Sequence, residues 1–394
     1  MIIMKKLLYI STALPKAEVE QLQKKQFDFS SNAIMPISVF HGNILEGMAE
    51  TYDEVTALSG VPISHKNFKI FRYPTKKIRE GKVRFHIDGF FNLPMIKQFT
   101  AVCKTYLRIL QWLKKNKEHS CHIIIDGTYF LGLAALWLAS KAKKVKTAAI
   151  IVDYYSFMDP SVNGRVQKLY YKFLSAIDRF VFVTDHLQKI VNQDQKPFMI
   201  MEGLVHKQSA APAAAAIEDV CLYAGGLHEQ YGVKNLVDAF RQTEIPYALH
   251  LYGNGDQLDY IKKIHAEDPR IEYKGIVDHD RLLELERSAK LLINPRPVYG
   301  KLDTRFNFPS KLMEFMQSGR PVVTTRLLGI PADYDDKMFF FEGDTVEAIK
   351  QKIEAILAMD EKTLSAFGKA ASDYVNTEKN NIVTAQRIYC LLNS

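Results

Sequence analysis

One short segment near residue 310 concentrates side chains that could bind an anion and a sugar. Pro309 and Ser310 stand at the start of a predicted helix, with Ser310 as its N-cap, and the free amides of a first helical turn bind anions. Lys311 adds a positive charge, and Glu314 lies one turn along the same face, where a carboxylate can accept hydrogen bonds from two neighbouring hydroxyls. Gly319 predicts the end of the helix. A diphosphate with an attached ribose would engage all three polar groups, and an ordinary capped helix with solvated side chains explains the segment equally well.

An alternation of strands and helices must position such a segment. In the first half, four short apolar runs end at polar residues and predict buried parallel strands over residues 6–11, 122–125, 147–152 and 179–183. Amphipathic helices are predicted over 93–117 and 129–141. Ligands of doubly wound sheets bind outside the carboxyl ends of the strands. Asp153, which follows the third run, is therefore predicted to be an acceptor-side or active-cleft residue; capping of a helix or loop is its alternative role.

The same alternation restarts after an Ala-rich stretch, residues 209–219, which is predicted to be a linker. A chain of 394 residues also exceeds the roughly 250–300 at which one core stops growing. The sequence therefore predicts two α/β domains with doubly wound sheets. We place the first at residues 1–205, joined by a C-terminal helix at about 378–394, and the second at 206–377.

Charge is distributed unevenly between the two halves. Residues 1–208 contain 30 Lys and Arg against 17 Asp and Glu, a net charge of +13, and the remainder carries −5. The first half is therefore expected to face an anionic partner: a membrane surface, a nucleic acid or a phosphorylated substrate. Sequence-specific nucleic-acid binding is not expected, because the basic residues belong to no recognised binding motif.

Other classes of protein are disfavoured by missing patterns. The four cysteines show no Cys-x-x-Cys spacing, so neither a disulfide framework nor a zinc site is predicted, and a reducing, cytoplasmic location fits. The sequence has no apolar run of membrane-spanning length and no P-loop. A signal peptide is not expected, because the stretch Met1–Ile10 is too short for one with its cleavage site.

Residues 307–323 resemble the donor-binding motif of the retaining group 1 (family 4) glycosyltransferases of GT-B fold, particularly the bacterial polysaccharide type. Further fragments resemble other markers of that family in the expected order, namely 201–203, 223–227, 251–255, 274–277 and 291–295. The resemblance covers most of residues 200–325, whereas residues 1–200 match in layout only. It implies two Rossmann-like domains facing a cleft.

The resemblance also implies site residues. Ser310 and Lys311 would hold the donor diphosphate and Glu314 the ribose, the glycines would let the backbone approach the phosphates, and the backbone near residue 276 would meet the base. The donor-binding set is Gly225, Gly226, Gly253, Ile276, Val277, Asn307, Ser310, Lys311 and Glu314. Two arginines are added on electrostatic grounds, because a cation stabilises the leaving diphosphate: Arg296 as a donor-binding residue, and Arg305 as a catalytic residue with Lys311 and Asp153.

The implied activity is a hexosyltransferase reaction. A sugar would pass with retention from a nucleoside diphosphate sugar, with UDP as the expected carrier, to a glycan or lipid-linked acceptor. No cofactor and no divalent metal are expected, because helix amides and Lys311 can neutralise the diphosphate. The acceptor would be read by loops within 15–47 and 72–92, and the basic first half would approach the inner face of the cytoplasmic membrane.

Departures from the family pattern leave alternatives open. Many members have a Glu eight residues before the Glu314 position, where this chain has Phe306. A basic pair of the family falls here on Gly226 and Tyr231. A catalytically silent partner subunit is therefore one alternative, and a nucleotide-sugar epimerase of similar two-domain fold is another.

Overall fold

Two parallel β-sheets organise the chain, one in each of two units. The first unit comprises Met1–Leu204 and Asn381–Ser394, and the second comprises Val205–Asn380. The computed structural model describes residues 2–25, 34–63, 68–141, 145–153, 164–207, 216–298 and 303–394. Most of the predicted linker, residues 209–215 of 209–219, lies outside the described residues.

The first unit alternates strands and helices from its start. Its elements up to the second unit are β1 (Lys5–Ser11), α1 (Lys16–Gln23), α2 (Ile34–Thr51), β2 (Glu54–Ser59), β3 (Arg72–Tyr73), β4 (Lys76–Glu80), β5 (Val83–Ile87), β6 (Phe90–Phe91), α3 (Ile96–Lys115), β7 (Ser120–Asp126), α4 (Phe130–Ala139), β8 (Lys146–Ile151), α5 (Gly164–Leu174), β9 (Arg179–Phe182), α6 (Asp185–Val191) and β10 (Phe198–Ile200).

The sheet of the first unit runs in the order β10-β9-β8-β7-β1-β2-β5-β4. Its strands pair in parallel except β4, which is antiparallel to β5, and β3 and β6 form a separate antiparallel pair. In the centre, β1 pairs with β2 in a register that sets Ser11 opposite Ser59, so polar residues meet at the carboxyl edge. Because β1 is covered on both faces, its residues Leu7 to Ile10 are fully buried.

The second unit repeats this architecture in six strands. Its elements are β11 (Val220–Ala224), α7 (Val233–Arg241), β12 (Ala248–Tyr252), α8 (Leu258–Glu267), β13 (Ile271–Gly275), α9 (His279–Ser288), β14 (Leu291–Asn294), α10 (Ser310–Gln317), β15 (Val322–Thr325), β16 (Phe339–Phe341), α11 (Val346–Leu357) and α12 (Glu361–Glu378). All its strand pairs are parallel, in the order β13-β12-β11-β14-β15-β16. The predicted α/β class with parallel sheets is confirmed.

The last helix, α13 (Asn381–Asn393), belongs to the first unit. Its buried residues Ala385, Ile388 and Leu392 join the core that α2 and β1 form, so the chain ends in the unit where it began. Within the described part of the chain, no helix is long and apolar enough to cross a bilayer.

Candidate functional site

The carboxyl edge of the second sheet collects most of the predicted donor-binding residues. Gly225, Gly253 and Ile276 directly follow β11, β12 and β13, and Arg296 follows β14 by two residues. Helix α10 connects the parallel neighbours β14 and β15, so its amino end returns to the same edge. That edge is where doubly wound sheets bind ligands.

The amino end of α10 differs in detail from the sequence expectation. Pro309 occupies the N-cap position with φ −65° and ψ 107°, and no side chain caps the helix. Ser310 is the first helical residue and is exposed, so its prediction as the N-cap is wrong. The reason is geometric: Pro309 combines φ −65° with an extended ψ, so it is the N-cap and the helix begins at Ser310, one residue earlier than predicted. The first turn therefore keeps amides that no cap hydroxyl occupies.

Lys311 and Glu314 share one face of α10, as their spacing predicted. Nζ of Lys311 lies 2.7 Å from Oε2 of Glu314, and both side chains are about three-tenths exposed. Gly319 lies just beyond the carboxyl end of α10 with φ +80°, a conformation that suits glycine. The ion pair occupies the two groups to which the resemblance assigns the diphosphate and the ribose.

A third charged group, Glu286 on α9, completes this cluster, and the sequence reasoning missed it. Oε1 of Glu286 lies 3.3 Å from Nζ of Lys311, and the carboxylate is fully buried. Oε2 has no hydrogen-bond partner among the described residues. A signal was present in the sequence, because Glu286 lies on the helix face shared by Leu282 and Ala289, where an apolar residue is the rule.

The electrostatics of this cluster follow from burial and from its two carboxylates. Burial raises the pKa of Glu286 to about 7; Lys311 opposes that effect and Glu314 adds to it. For Lys311, burial acts to lower the pKa, but the two carboxylates outweigh it and leave the pKa raised. Lys311 is therefore a firmly charged cation at neutral pH, while Glu286 is near the midpoint of its titration.

The residues just before α10 are packed rather than free. Phe306 is buried, so the position at which many family members carry a Glu is apolar here. Oδ1 of Asn307 is buried and has no hydrogen-bond partner in the described parts of the chain. A buried amide oxygen of this kind can still accept a hydrogen bond from a ligand.

The two predicted arginines have quite different surroundings. Arg305 is exposed and forms a forked ion pair with Asp303, with N···O distances of 3.0 and 2.7 Å. Arg296 is half-buried, and its guanidinium carbon lies 5.7 Å from the centroid of the Tyr231 ring. Arg296 therefore contacts Tyr231 within the loops at the strand edge, whereas Arg305 is paired with Asp303.

The glycine turns bring the loops after β11 and β12 into backbone contact. Gly253 has φ +134°, and a Cβ atom there would lie 1.8 Å from the carbonyl oxygen of Gly225. The hydroxyl of Tyr223 donates a hydrogen bond of 2.8 Å to the Gly226 carbonyl, and a Cβ at Gly226 would lie 2.9 Å from the Tyr231 ring. Internal packing alone thus requires small residues here, independently of any ligand.

The remaining predicted residues lie at strand ends. Ile276 is 71% exposed just after β13, whereas Val277 packs against the core of its unit. Asp153 lies in the first unit, exposed and two residues after β8. The structure does not group Asp153 with the donor-side residues within one unit. Among the described residues, no group of three or more His, Cys, Asp and Glu side chains is arranged to hold a metal ion.

Comparison with known proteins identifies this region. Residues 218–359 match the model of the family described as Glycosyl transferases group 1. This part of the chain is similar to a group 1 glycosyltransferase domain. It includes α9, α10 and all the strand-edge glycines, and it covers about a third of the chain. No curated protein matches the sequence.

Solved structures extend the comparison to the whole chain. Sucrose-phosphate synthase from Thermosynechococcus elongatus is 14% identical with a TM-score of 0.65, covering 99% of this chain and 98% of that chain. Anabaena HepE in complex with UDP is 14% identical with a TM-score of 0.62, covering 98% and 99%. A trehalose-phosphate synthase from Burkholderia xenovorans, in complex with glucose-6-phosphate, is 10% identical with a TM-score of 0.63, covering 98% and 99%. At these identities the likeness shows the fold, which is GT-B.

Proposed function

We propose that this protein is a glycosyltransferase that moves a sugar from a nucleoside diphosphate sugar to a glycan or lipid-linked acceptor, with retention of anomeric configuration. The observation that carries the proposal is the cluster at the amino end of α10. It combines a helix start that no described side chain caps, the cation Lys311 and the carboxylate Glu314 inside the region that matches the family model.

The chemistry that this cluster can supply is charge stabilisation. As the bond between sugar and diphosphate breaks, negative charge grows on the leaving diphosphate, and fixed amides and an ammonium group stabilise it. In the structure Glu314 pairs with Lys311. In our proposal the ribose hydroxyls take over Glu314, the diphosphate takes over Lys311, and Glu286 remains as the buried counter-ion of Lys311.

We further propose UDP as the carrier and a reaction that needs no divalent metal. The structural neighbour HepE was solved with UDP, and the exposed Ile276 lies at the edge where the resemblance places the base. Lys311 and the amides of α10 provide positive charge that a metal ion would otherwise supply. Anomeric analysis of the product by NMR and assays with and without a chelator test retention and metal dependence.

We also propose that the first unit rests on the inner face of the cytoplasmic membrane. Met95, Ile96 and Phe99, at the start of α3, are 82%, 50% and 72% exposed. The same helix ends with the exposed Lys114 and Lys115. Exposed apolar side chains at one end of the helix and lysines at its other end suit a helix that lies along an anionic bilayer surface.

Thermal-shift measurements with nucleoside diphosphates and their sugars test the donor site. Occupancy at about 100 times the dissociation constant stabilises a protein by about 2.7 kcal/mol, which such a screen detects. We expect a selective shift that Lys311→Ala abolishes, that Glu314→Ala reduces, and that Lys362→Ala, at an exposed lysine on α12, preserves. The absence of a shift with every nucleotide would overturn the proposal. Binding without sugar transfer would instead favour a silent partner subunit.

A further inference from the structure

The first unit contains a pocket of about 250 Å³, which is separate from the donor-side residues of the second unit. It lies at the carboxyl ends of β1, β2 and β5, and α3 and the start of α4 close its sides. Polar side chains that line it include Ser59, His86, Asp88, Lys97 and Lys104. Part of this lining comes from residues 72–92, where the sequence predicted an acceptor-reading loop.

Two lysines of α3 bring positive charge into this pocket without acidic partners. Nζ of Lys97 donates hydrogen bonds to the backbone carbonyls of Val61, at 3.1 Å, and Ile63. Nζ of Lys104 donates to the carbonyl of Gly89 at 2.5 Å. Within the part of the chain that the structure describes, neither ammonium group has a carboxylate within 4.0 Å. Carbonyl dipoles orient these cations but leave their charge unneutralised.

The acidic residue that lines the pocket, Asp88, is paired with other basic side chains. Asp88 lies 3.0 Å from the Arg108 guanidinium and 3.1 Å from Nε2 of His86. Burial acts to raise the pKa of Asp88, but hydrogen bonds and charge from His86 and Arg108 lower it to about 2. Asp88 therefore serves Arg108 and His86, and the pocket keeps an excess of positive charge.

A buried hydroxyl adds a further polar group to the wall of the pocket. Oγ of Ser59, at the end of β2, is buried and has no hydrogen-bond partner among the described residues. Buried polar groups are nearly always hydrogen-bonded, so this hydroxyl is available to a ligand. The pocket is also lined by Phe90, Tyr129 and Phe130, whose rings provide an apolar wall.

From these four observations we infer that this pocket binds a phosphate group carried by the acceptor. Two uncompensated ammonium groups and a hydroxyl match an ion with several oxygens and nearly two charges at neutral pH. The aromatic wall would take the group attached to the phosphate. The inference rests on the proposed function only in calling the ligand an acceptor; its phosphate chemistry comes from the pocket alone. A soluble sugar phosphate and a lipid phosphate headgroup share that chemistry.

Calorimetric titration of the full chain tests the inference with paired probes. The soluble probes are hexose 6-phosphate and the unphosphorylated hexose, and the lipid probes are phosphatidylcholine vesicles with and without phosphatidic acid. Lys97→Met and Lys104→Met remove the two charges. Lys168→Met, an exposed lysine on α5, is the matched control. If circular dichroism shows that the lysine variants are unfolded, phosphate binding by Ser59→Ala tests the inference in their place.

We expect wild type and Lys168→Met to bind a phosphorylated probe at least tenfold more tightly than its unphosphorylated partner. Loss of a charged hydrogen-bond donor should weaken that binding about tenfold. Preference for hexose phosphate indicates a soluble acceptor, and preference for phosphatidic acid indicates a lipid-linked one. The inference is overturned if neither phosphorylated probe binds, if removing the phosphate leaves affinity unchanged, or if the variants bind as tightly as the control.

UDP binding, measured on the same samples, separates this inference from the proposed function. The pocket variants should bind UDP like wild type, because Lys97 and Lys104 belong to the first unit and α10 to the second. Phosphate binding without any nucleotide binding would overturn the proposed donor site and leave the pocket inference standing. Nucleotide binding without phosphate binding would overturn the pocket inference and leave the proposed donor site standing.

Discussion

Oε1 of Glu286, a fully buried carboxylate on α9, lies 3.3 Å from Nζ of Lys311 at the start of α10. The exposed side of the same ammonium group meets Glu314 at 2.7 Å. Lys311 therefore has one partner that a ligand can reach and one that it cannot. This arrangement keeps the ammonium group in place when Glu314 binds another partner.

Glu286→Gln should stabilise the second unit increasingly as the pH rises. The pKa of Glu286 is raised by folding from 4.5 to about 7, so the wild type is fully stable below the unfolded value and loses stability as the pH rises through the folded one. That difference corresponds to about 3 kcal/mol. The glutamine should mimic the protonated acid. Relative to wild type, its free energy of unfolding should be slightly larger at pH 5 and larger by about 3 kcal/mol at pH 8.

Urea unfolding at both pH values, followed by circular dichroism, measures this effect. Both tryptophans, Trp112 and Trp137, lie in the first unit, so their fluorescence provides an internal control that should not change. An advantage of equal size at pH 5 and pH 8 would show that titration of Glu286 is not its cause.

Glu314→Gln should remove discrimination between ribose and its analogues. If the carboxylate accepts hydrogen bonds from both ribose hydroxyls, wild type should bind UDP about tenfold more tightly than 2′,3′-dideoxy-UDP. The glutamine variant should bind the two nucleotides with similar affinity, and Glu378→Gln, at an exposed position on α12, should behave like wild type. Calorimetry provides the affinities. A tenfold preference that persists in Glu314→Gln would assign the ribose to another residue.

Gly253→Ala should destabilise the second unit by more than about 2 kcal/mol and abolish nucleotide binding. At this position φ is +134°, and the added Cβ would lie 1.8 Å from the Gly225 carbonyl oxygen, so the two loops must separate. Gly343→Ala is the matched control, because its Cβ would meet only Ala348 at 3.9 Å. Urea unfolding and UDP titration measure both effects. A Gly253→Ala variant as stable as the control would contradict the backbone contact.

Phe99→Asp should weaken binding to anionic vesicles without altering stability. Phe99 is 72% exposed, so the folded protein loses little packing, and stability should change by no more than about 0.5 kcal/mol. Burying such a ring in a bilayer contributes about 1.5–3 kcal/mol, so we expect a loss of affinity of roughly tenfold or more. Co-sedimentation with vesicles measures it. Leu169→Asp, at a 43% exposed leucine on α5, is the control; equal loss in both variants would show that Phe99 has no special role.

Local patterns in the sequence were enough to predict the alternating fold and the helix of the candidate site. The runs at 6–11, 122–125, 147–152 and 179–183 became β1, β7, β8 and β9 with small shifts at their ends, and the apolar stretch Phe130–Ala139 became α4. Gly319, Lys311 and Glu314 lie where their spacing placed them along α10. In a helix, such features depend on residues three or four positions apart, and in a buried strand they depend on one continuous apolar run. Both patterns can be recognised within a short stretch of sequence.

The partners of those side chains could be seen only in the tertiary structure. Glu286 is separated by 25 residues from Lys311, and only the packing of α9 beside α10 buries its carboxylate and raises its pKa. In the sequence, Lys97 and Lys104 are ordinary basic residues of an amphipathic helix. The tertiary structure brings them into one pocket with Ser59, at the end of β2, and Asp88, which follows β5. Burial and charge balance are properties of the residues that surround a group, and strand order rather than spacing along the chain decides which residues those are.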